Sequence, residues 1–261
     1  MAAQAQAQDT ITTTRPARRA DAGTIRLSQR DIDGLLLCAE HGAAPYDLLA
    51  GALGVAPARL RGIVARWRRT GYATTGRLGP GPAWCWLTPA GMTATGLHYP
   101  ATRPALGRLA HLRAVLAARL WLQATTDWQI GQPWWQSERR IRSHQPAAGA
   151  LHRPDAEIHW PSLTGSPHAG QVWAIEVELT PKPFGRTAAI VTALTMDTRY
   201  NRICYLVTPA ARPVLVRTAA ALPSPGQITV WDLPPAAFTP GADSQPAGLK
   251  GTAGTAEREH Q

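Results

Sequence analysis

The sequence predicts a two-domain protein of the α+β and α/β classes, with a mainly helical first domain and a second domain built on a central mixed sheet. The chain has 261 residues, and 44% of them are hydrophobic, which is enough for two small domains with separate cores. A proline-containing stretch at 99–104 divides domain 24–99 from domain 105–236. Residues 1–23 and 237–261 show little periodicity and are predicted to be flexible tails.

The charge balance indicates the class of partner. The formal net charge is +10, and such an excess favours polyanions, with nucleic acid ahead of an anionic membrane. The sequence has no apolar run of the roughly 18 residues that a membrane span needs, and no apolar region typical of a signal peptide, so we expect a cytoplasmic protein that does not bind membranes. The three cysteines are far apart, which argues against a zinc ribbon or a disulfide scaffold.

Three helices and a hairpin are predicted in the first domain. Ser28 is an N-cap residue for a helix over 29–40, which a short helix over 45–53 follows. Pro57 suits the first turn of a third helix over 57–70. Strand-forming residues on both sides of a turn-rich segment then predict a β-hairpin.

The third helix combines a buried stripe with cationic faces. Its apolar residues Leu60, Ile63, Val64 and Trp67 follow the spacing of one helix face. The arginines lie away from this stripe or on its flanks, and Arg77 lies at the tip of the hairpin. A short helix, a tight turn, a basic helix and a hairpin predict a winged helix-turn-helix that contacts double-stranded DNA. The predicted DNA-binding residues are Arg59, Arg61, Arg66, Arg68, Arg69 and Arg77.

The second domain alternates helices with strands. A helix over 106–124 carries an apolar stripe formed by Leu109, Leu112, Val115, Leu116 and Leu120. Strands are predicted at 156–160, 172–179, 203–207 and 228–231, with helices at 186–199 and 210–221. This order predicts helices packed around one central sheet.

The strand at 172–179 places Glu176 and Glu178 on one face and apolar side chains on the other. Two adjacent carboxylates on a buried strand repel, so a divalent metal or an arginine such as Arg153 or Arg186 must compensate. Asp155 lies 21 positions before Glu176, which suits a strand, a loop and a returning strand. The three acids can therefore converge.

The sequence from Pro154 and Asp155 to Glu176 and Glu178 resembles the PD-(D/E)xK nuclease superfamily, whose sheet holds Mg²⁺ between such acids. The resemblance implies that Asp155 and Glu176 are ligands of Mg²⁺ or Mn²⁺. Glu178 occupies the position of the usual lysine, and Lys182 would supply the displaced cation. Glu138 resembles the acid that many members place on the helix before the sheet.

A more specific resemblance rests on a winged helix followed by three short segments, 135–139, 152–155 and 176–182, with Arg186 and Tyr200 downstream. This combination resembles the replication-relaxation family of actinobacterial plasmids and integrative elements, and the resemblance covers about residues 25–233. It implies association with mobile DNA and its replication, relaxation or transfer. The implied partners are double-stranded DNA and either a second copy of the chain or replication and transfer proteins.

The sequence leaves three functions open. The first is a metal-dependent DNA endonuclease or nickase, and the second is a DNA-binding replication factor without catalysis. The third is a winged-helix transcriptional regulator whose C-terminal domain dimerises without catalysis. The arginines of the third helix could also be a solvated face on a protein-interaction module. Because Glu178 departs from the lysine pattern, the sequence favours DNA binding over cleavage.

Structural roles also compete for several of these residues. Asp155 follows a proline and could cap a turn, and the two glutamates could pair with arginines. We expect His152 to be exposed or hydrogen-bonded. Trp134 and Trp135 are expected in the core or at a domain interface, because burial is the commoner role of tryptophan.

Overall fold

The computed structural model describes residues 26–144, 152–162, 165–222 and 225–238. The predicted tail at 1–23 lies outside these ranges, as do residues 239–261 of the second tail. The described chain is mixed α/β, with a three-stranded sheet and a five-stranded mixed sheet. The mixed α/β class predicted from the sequence is therefore confirmed.

The first region forms a small helical unit with an antiparallel sheet whose strand order is β1-β3-β2. The three predicted helices and the hairpin are present within one or two residues of their expected bounds, while β1 and α4 were not predicted from the sequence. The elements are α1 (Gln29–His41), β1 (Ala44–Pro45), α2 (Tyr46–Ala52), α3 (Pro57–Arg69), β2 (Ala73–Gly76), β3 (Trp84–Leu87) and α4 (Pro89–Ala94).

The carboxylate of Asp31 ties the start of α1 to the end of α3. Its Oδ2 accepts hydrogen bonds from the backbone N and Oγ of Ser28, which completes a capping box. Its Oδ1 accepts from Nε1 of Trp67 at 2.8 Å and from the guanidinium of Arg66. Burial raises the pKa of Asp31, but these hydrogen bonds outweigh burial and lower it to about 2.

The second region contains the larger sheet, which a short 3-10 turn at Leu106–Arg108 precedes. Its predicted helices and strands are present with shifts of a few residues, whereas α6, β4 and α7 were not assigned from the sequence. The elements are α5 (Leu109–Gln123), α6 (Thr126–Gly131), β4 (Trp134–Ser137), α7 (Glu138–His144), β5 (Ala156–His159), β6 (Val172–Glu178), α8 (Phe184–Met196), β7 (Arg202–Val207), α9 (Arg212–Ala220) and β8 (Ile228–Asp232).

The sheet has the strand order β4-β5-β6-β7-β8, so β6 is its middle strand. The first three strands are antiparallel, and β6, β7 and β8 are parallel. Trp173, Ile175 and Val177 pack with α5 on one face, while Ala174 packs with α8 and α9 on the other. Alternation along β6 therefore directs Glu176 and Glu178 to the face that carries α8.

One hydrophobic cluster runs through both regions, whereas the sequence predicted a separate core for each domain. It joins Leu35 and Trp67 to Leu116, Ile158 and Ile175. Polar contacts reinforce this packing, because Arg113 on α5 donates to both carboxylate oxygens of Asp47 on α2, at 3.0 and 2.5 Å. The segment at 99–104 is thus a connection between regions that share a core.

The two tryptophans of β4 have opposite environments because neighbouring residues of a strand face opposite sides. Trp135 is buried on the α5 face, as expected. Trp134 is 50% exposed and stacks on His159, with ring centroids 4.9 Å apart. The expectation that Trp134 is a core residue is therefore wrong.

No single helix in the described ranges is long and apolar enough to cross a membrane. The helices α2 and α3 reach that length and apolar character only when they are taken together, and this pair is bent by 99°.

We expect Asp31→Asn to lower the free energy of unfolding by about 1–3 kcal/mol, because the buried ion pair with Arg66 is lost. The pKa of Asp31 is lowered from 3.8 to about 2, so its contribution is present above pH 3.8 and is lost as the pH falls through 2. Urea unfolding of both proteins across this range measures the difference. Asp33→Asn is the control because Asp33 is exposed on the same helix. Equal effects of the two substitutions would contradict the assignment.

Candidate functional site

Three carboxylates lie at one end of the β5–β6 pair and form what we call the acidic cluster: Asp155, Glu176 and Glu178. Glu176 and Glu178 are two residues apart on the middle strand and share a face. Asp155 immediately precedes β5, and the pairing of Ala156 with Ile175 places it beside Glu176. Its Oδ2 also accepts a hydrogen bond from the backbone N of Val177 at 2.8 Å. Strand alternation and spacing in the sequence predicted this arrangement.

Each acid of the cluster has a basic partner. Nε2 of His111, on α5, lies 2.8 Å from Oδ1 of Asp155. Nε2 of His152 lies 2.9 Å from Oε1 of Glu176, and Lys182 binds Glu178. The three acids are therefore paired with two histidines and a lysine, whereas the sequence suggested that an arginine or a metal would compensate their charge.

The sequence identified some of these partners. His152 is hydrogen-bonded, as expected, and Lys182 lies beside Glu178, where a displaced cation was anticipated. Arg186 is exposed on α8. His111 was missed, because its neighbours in the sequence mark it only as part of an amphipathic helix.

Burial and mutual repulsion control the charge of Glu176. The residue is only 6% exposed, and burial followed by the charge of Asp155 raises its pKa to about 7. Burial lowers the pKa of His152, but the hydrogen bond and charge of Glu176 outweigh burial and raise it overall. The same balance with Asp155 raises the pKa of His111. The pKa of Glu176 therefore lies near neutral pH.

Tyr205 lies beside the acidic cluster, because it pairs with Glu176 in the register of β6 and β7. Its hydroxyl is buried and has no hydrogen-bond partner within the described chain. Burial, followed by the charges of the three acids, raises the pKa of Tyr205 well above its usual value. A buried hydroxyl without a partner indicates a place for a water or another ligand.

The donor set only partly fits a divalent cation. Among the described residues, no three His, Cys, Asp or Glu side chains converge to hold a metal ion. Asp155 and Glu176 supply two carboxylates, and Mg²⁺ often binds one or two carboxylates together with water and phosphate oxygens. A cation at this pair would need such additional ligands, and it would compete with His111 and His152 for the carboxylate oxygens.

Glu138 begins α7, which follows the edge strand β4. This helix precedes the other four strands of the sheet in the chain. The backbone N of Glu138 donates to the carbonyl oxygen of Asp155 at 3.0 Å. Its carboxylate, however, binds Arg108 and Arg142, so it is held by cations rather than directed to a metal site.

The arginines of α3 separate into two groups. Arg59, Arg61, Arg68 and Arg69 are exposed and form what we call the arginine face, and Arg77 is exposed on the hairpin. Arg66 is partly buried and binds Asp31. The expected DNA contact of Arg66 is therefore already taken by a structural ion pair, because its position on α3 faces the start of α1. The exposed Arg30 on α1, which the sequence analysis missed, lines a groove with Arg59.

No family model and no curated protein matches this chain. A solved structure described as "PigF with SAH" aligns with 16% identity over 78% of this chain and 56% of that one. The chain thus spans about half the length of that protein. The TM-score is 0.19, so this likeness supports no conclusion about fold or ligand.

We expect the free energy of unfolding to fall as the pH rises from 5 to 8. The folded-state pKa of Glu176 is raised from 4.5 to about 7, so its stabilising effect is complete below 4.5 and is lost as the pH rises through 7. The raised pKa of His152 adds to the fall in the same direction. Urea unfolding at several pH values measures the trend.

Glu176→Gln should flatten this pH dependence, because the amide does not ionise. Glu178→Gln is the matched control on the same strand and should retain the fall. A wild-type protein whose stability does not change between these pH values would contradict the proposed charge balance.

Proposed function

We propose that this protein binds double-stranded DNA through a winged helix-turn-helix and acts in the cytoplasm in replication, relaxation or transfer of the DNA of a plasmid or mobile element. The observation that carries the proposal is the arginine face of α3. Its four guanidinium groups are exposed, and none of them forms an ion pair within the part of the chain that the structure describes. They are therefore available to phosphate groups.

The topology of the first region supports this proposal. Its elements follow the order helix, strand, helix, helix, strand, strand, and β3 lies between β1 and β2. The apolar stripe of α3 packs inward through Leu60, Ile63, Val64 and Trp67, and its other faces remain accessible. In a winged helix-turn-helix this helix enters the major groove, and here the hairpin would bring Arg77 to the flanking backbone.

The exposed arginines explain affinity for DNA of any sequence more directly than they explain preference for one sequence. Each phosphate that an arginine neutralises releases counterions, and this term supplies most of non-specific binding. Base contacts from the same helix would add specificity, because arginine pairs in a bidentate way with guanine. The formal net charge of +10 agrees with a polyanionic partner.

Metal-dependent cleavage of DNA is a second candidate function, favoured by the acidic cluster. Asp155 and Glu176 would hold Mg²⁺ or Mn²⁺, and Lys182 would keep Glu178 paired beside them. A bound cation at such a site polarises a phosphate and activates water. The buried hydroxyl of Tyr205 favours a ligand here because it has no hydrogen-bond partner within the described chain, and the raised pKa of the neighbouring Glu176 is typical of functional sites.

A regulator with a dimerisation domain is the remaining alternative. Such a domain requires a self-complementary surface and has no need for buried carboxylates beside each other. The position of Asp155 next to Glu176 therefore favours the other two proposals, DNA binding in replication or transfer and metal-dependent DNA cleavage.

Replacing both Arg61 and Arg69 with Ala should weaken binding to duplex DNA and reduce the slope of log K against log salt. The slope should change by about 0.9 for each phosphate contact that is lost. Fluorescence anisotropy with a labelled duplex at several salt concentrations measures both quantities. Arg217→Ala on α9 removes a charge elsewhere and should leave affinity and slope unchanged. An unaltered slope in the double variant would exclude the arginine face as the contact.

The nuclease proposal predicts that Mn²⁺ raises the melting temperature of the wild-type protein. A ligand that binds only the folded state stabilises it by about 2.7 kcal/mol at a hundredfold excess over Kd, which corresponds to several degrees. Glu176→Gln should abolish this shift, while Asp232→Asn should retain it. Nicking of supercoiled DNA in the presence of Mn²⁺ is the matching activity assay. A wild type that neither responds to the metal nor nicks DNA would leave only the binding function.

A further inference from the structure

A cleft of about 690 Å³ lies where the first region meets α5 and α7. Its lining residues come from the end of α1, the connection at 98–105, the start of α5 and α7. Asp155 of the acidic cluster lines the same cleft. Its basic lining residues are His98, Arg103, Arg108, His111, Arg139 and Arg142.

Glu138 binds arginines from two of the elements that line the cleft. Its Oε2 accepts from Arg108 at 3.2 Å, and its Oε1 accepts from Arg142. The side chains of Arg108 and Arg142 are 53% and 60% exposed, so their guanidinium groups stay accessible to solvent. One carboxylate thus holds two arginines in the arrangement that a phosphate group would also satisfy, and it neutralises only one of the two charges.

Two more arginines, Arg139 and Arg103, have no carboxylate within ion-pair distance among the described residues, although the charge of Glu40, which also lines the cleft, acts on Arg139. Arg139 donates to the backbone carbonyls of Ala39 at 2.7 Å and Pro100 at 2.6 Å, and carbonyl oxygens carry no net charge. Its guanidinium also lies over the ring of Tyr99. Arg103 is exposed in the connection at 98–105 and has no ion-pair partner among the described residues.

We propose that this cleft binds the phosphate backbone of a single DNA strand, and that Glu138 holds Arg108 and Arg142 until a phosphate replaces it. The inference rests on the proposed function in one respect, since it takes DNA as the partner, but it involves a surface separate from the arginine face. It also assigns Glu138 a role other than metal binding.

The shape of the cleft favours a single strand over a duplex. Its volume lies in the range of pockets that hold one small ligand, so a double helix does not fit inside it. Within the described residues the cleft is open to solvent, and its arginines come from the connection, the start of α5 and α7, so several cations are available to successive phosphates of a chain. A strand seated there would pass Asp155, which links DNA binding to the acidic cluster.

Anisotropy with a fluorescein-labelled oligothymidylate tests this inference. Glu138→Gln should tighten binding about tenfold, because it removes the competing carboxylate and keeps the size of the side chain. Arg108→Ala and Arg103→Ala should each weaken binding and reduce the salt slope by about 0.7, the value for one phosphate contact in a single strand. Thermal unfolding of each variant verifies that it is folded.

The controls separate this site from a general charge effect. Asp232→Asn also frees an arginine, because Asp232 binds Arg212 on α9, and it should not tighten binding. An equal gain in both acid variants, or unchanged affinity in Glu138→Gln and Arg103→Ala, overturns the inference. Competition by thymidine monophosphate at concentrations as low as those of the oligonucleotide would also overturn it, because it would show a nucleotide site.

The outcomes also distinguish this inference from the proposed function. Replacing Arg61 and Arg69 with Ala should reduce duplex affinity and leave oligothymidylate affinity unchanged. If duplex binding depends on neither residue while the Glu138 and Arg103 variants behave as expected, the duplex proposal fails and the cleft stands. If only the duplex responds, the cleft proposal fails.

Discussion

The packing of α5 between the first region and the five-stranded sheet is the constraint on which the acidic cluster and the cleft both depend. Its apolar residues join the core of the first region to the buried face of β6, and Arg113 fixes it to Asp47 on α2. The same helix carries His111 to Asp155. Arg108, immediately before it, reaches Glu138. A shift of α5 would therefore alter the core, the acidic cluster and the cleft together.

Buried charge is the second constraint, and the buried carboxylates form hydrogen bonds with side chains from distant positions in the sequence. Glu176 has His152 as its hydrogen-bond partner, while Asp31 accepts hydrogen bonds from Arg66 and Trp67. The two acids show how the surroundings decide the outcome. Burial beside a like charge raises the pKa of Glu176, whereas several donors around Asp31 lower its pKa. The pKa of Glu176 is therefore about 7 and that of Asp31 about 2, although both carboxyls are buried.

The positive charge is distributed between two surfaces of different kind. The arginine face lies on the outside of α3, where it suits the regular backbone of a duplex. The cleft arginines lie between elements, and one carboxylate restrains two of them. The function that we propose would use both surfaces, the arginine face for duplex DNA and the cleft for a single strand.

The sequence by itself determined the helices, the strands and the shared face of Glu176 and Glu178, because these follow from local periodicity and capping. It also determined the proximity of Asp155 to Glu176, through the spacing of two strands that return on each other. Only the tertiary structure decided that Arg66 binds Asp31, that His111 binds Asp155 and that Arg108 binds Glu138. Such pairs depend on how helices pack across long separations in the chain, and local patterns carry no information about that packing.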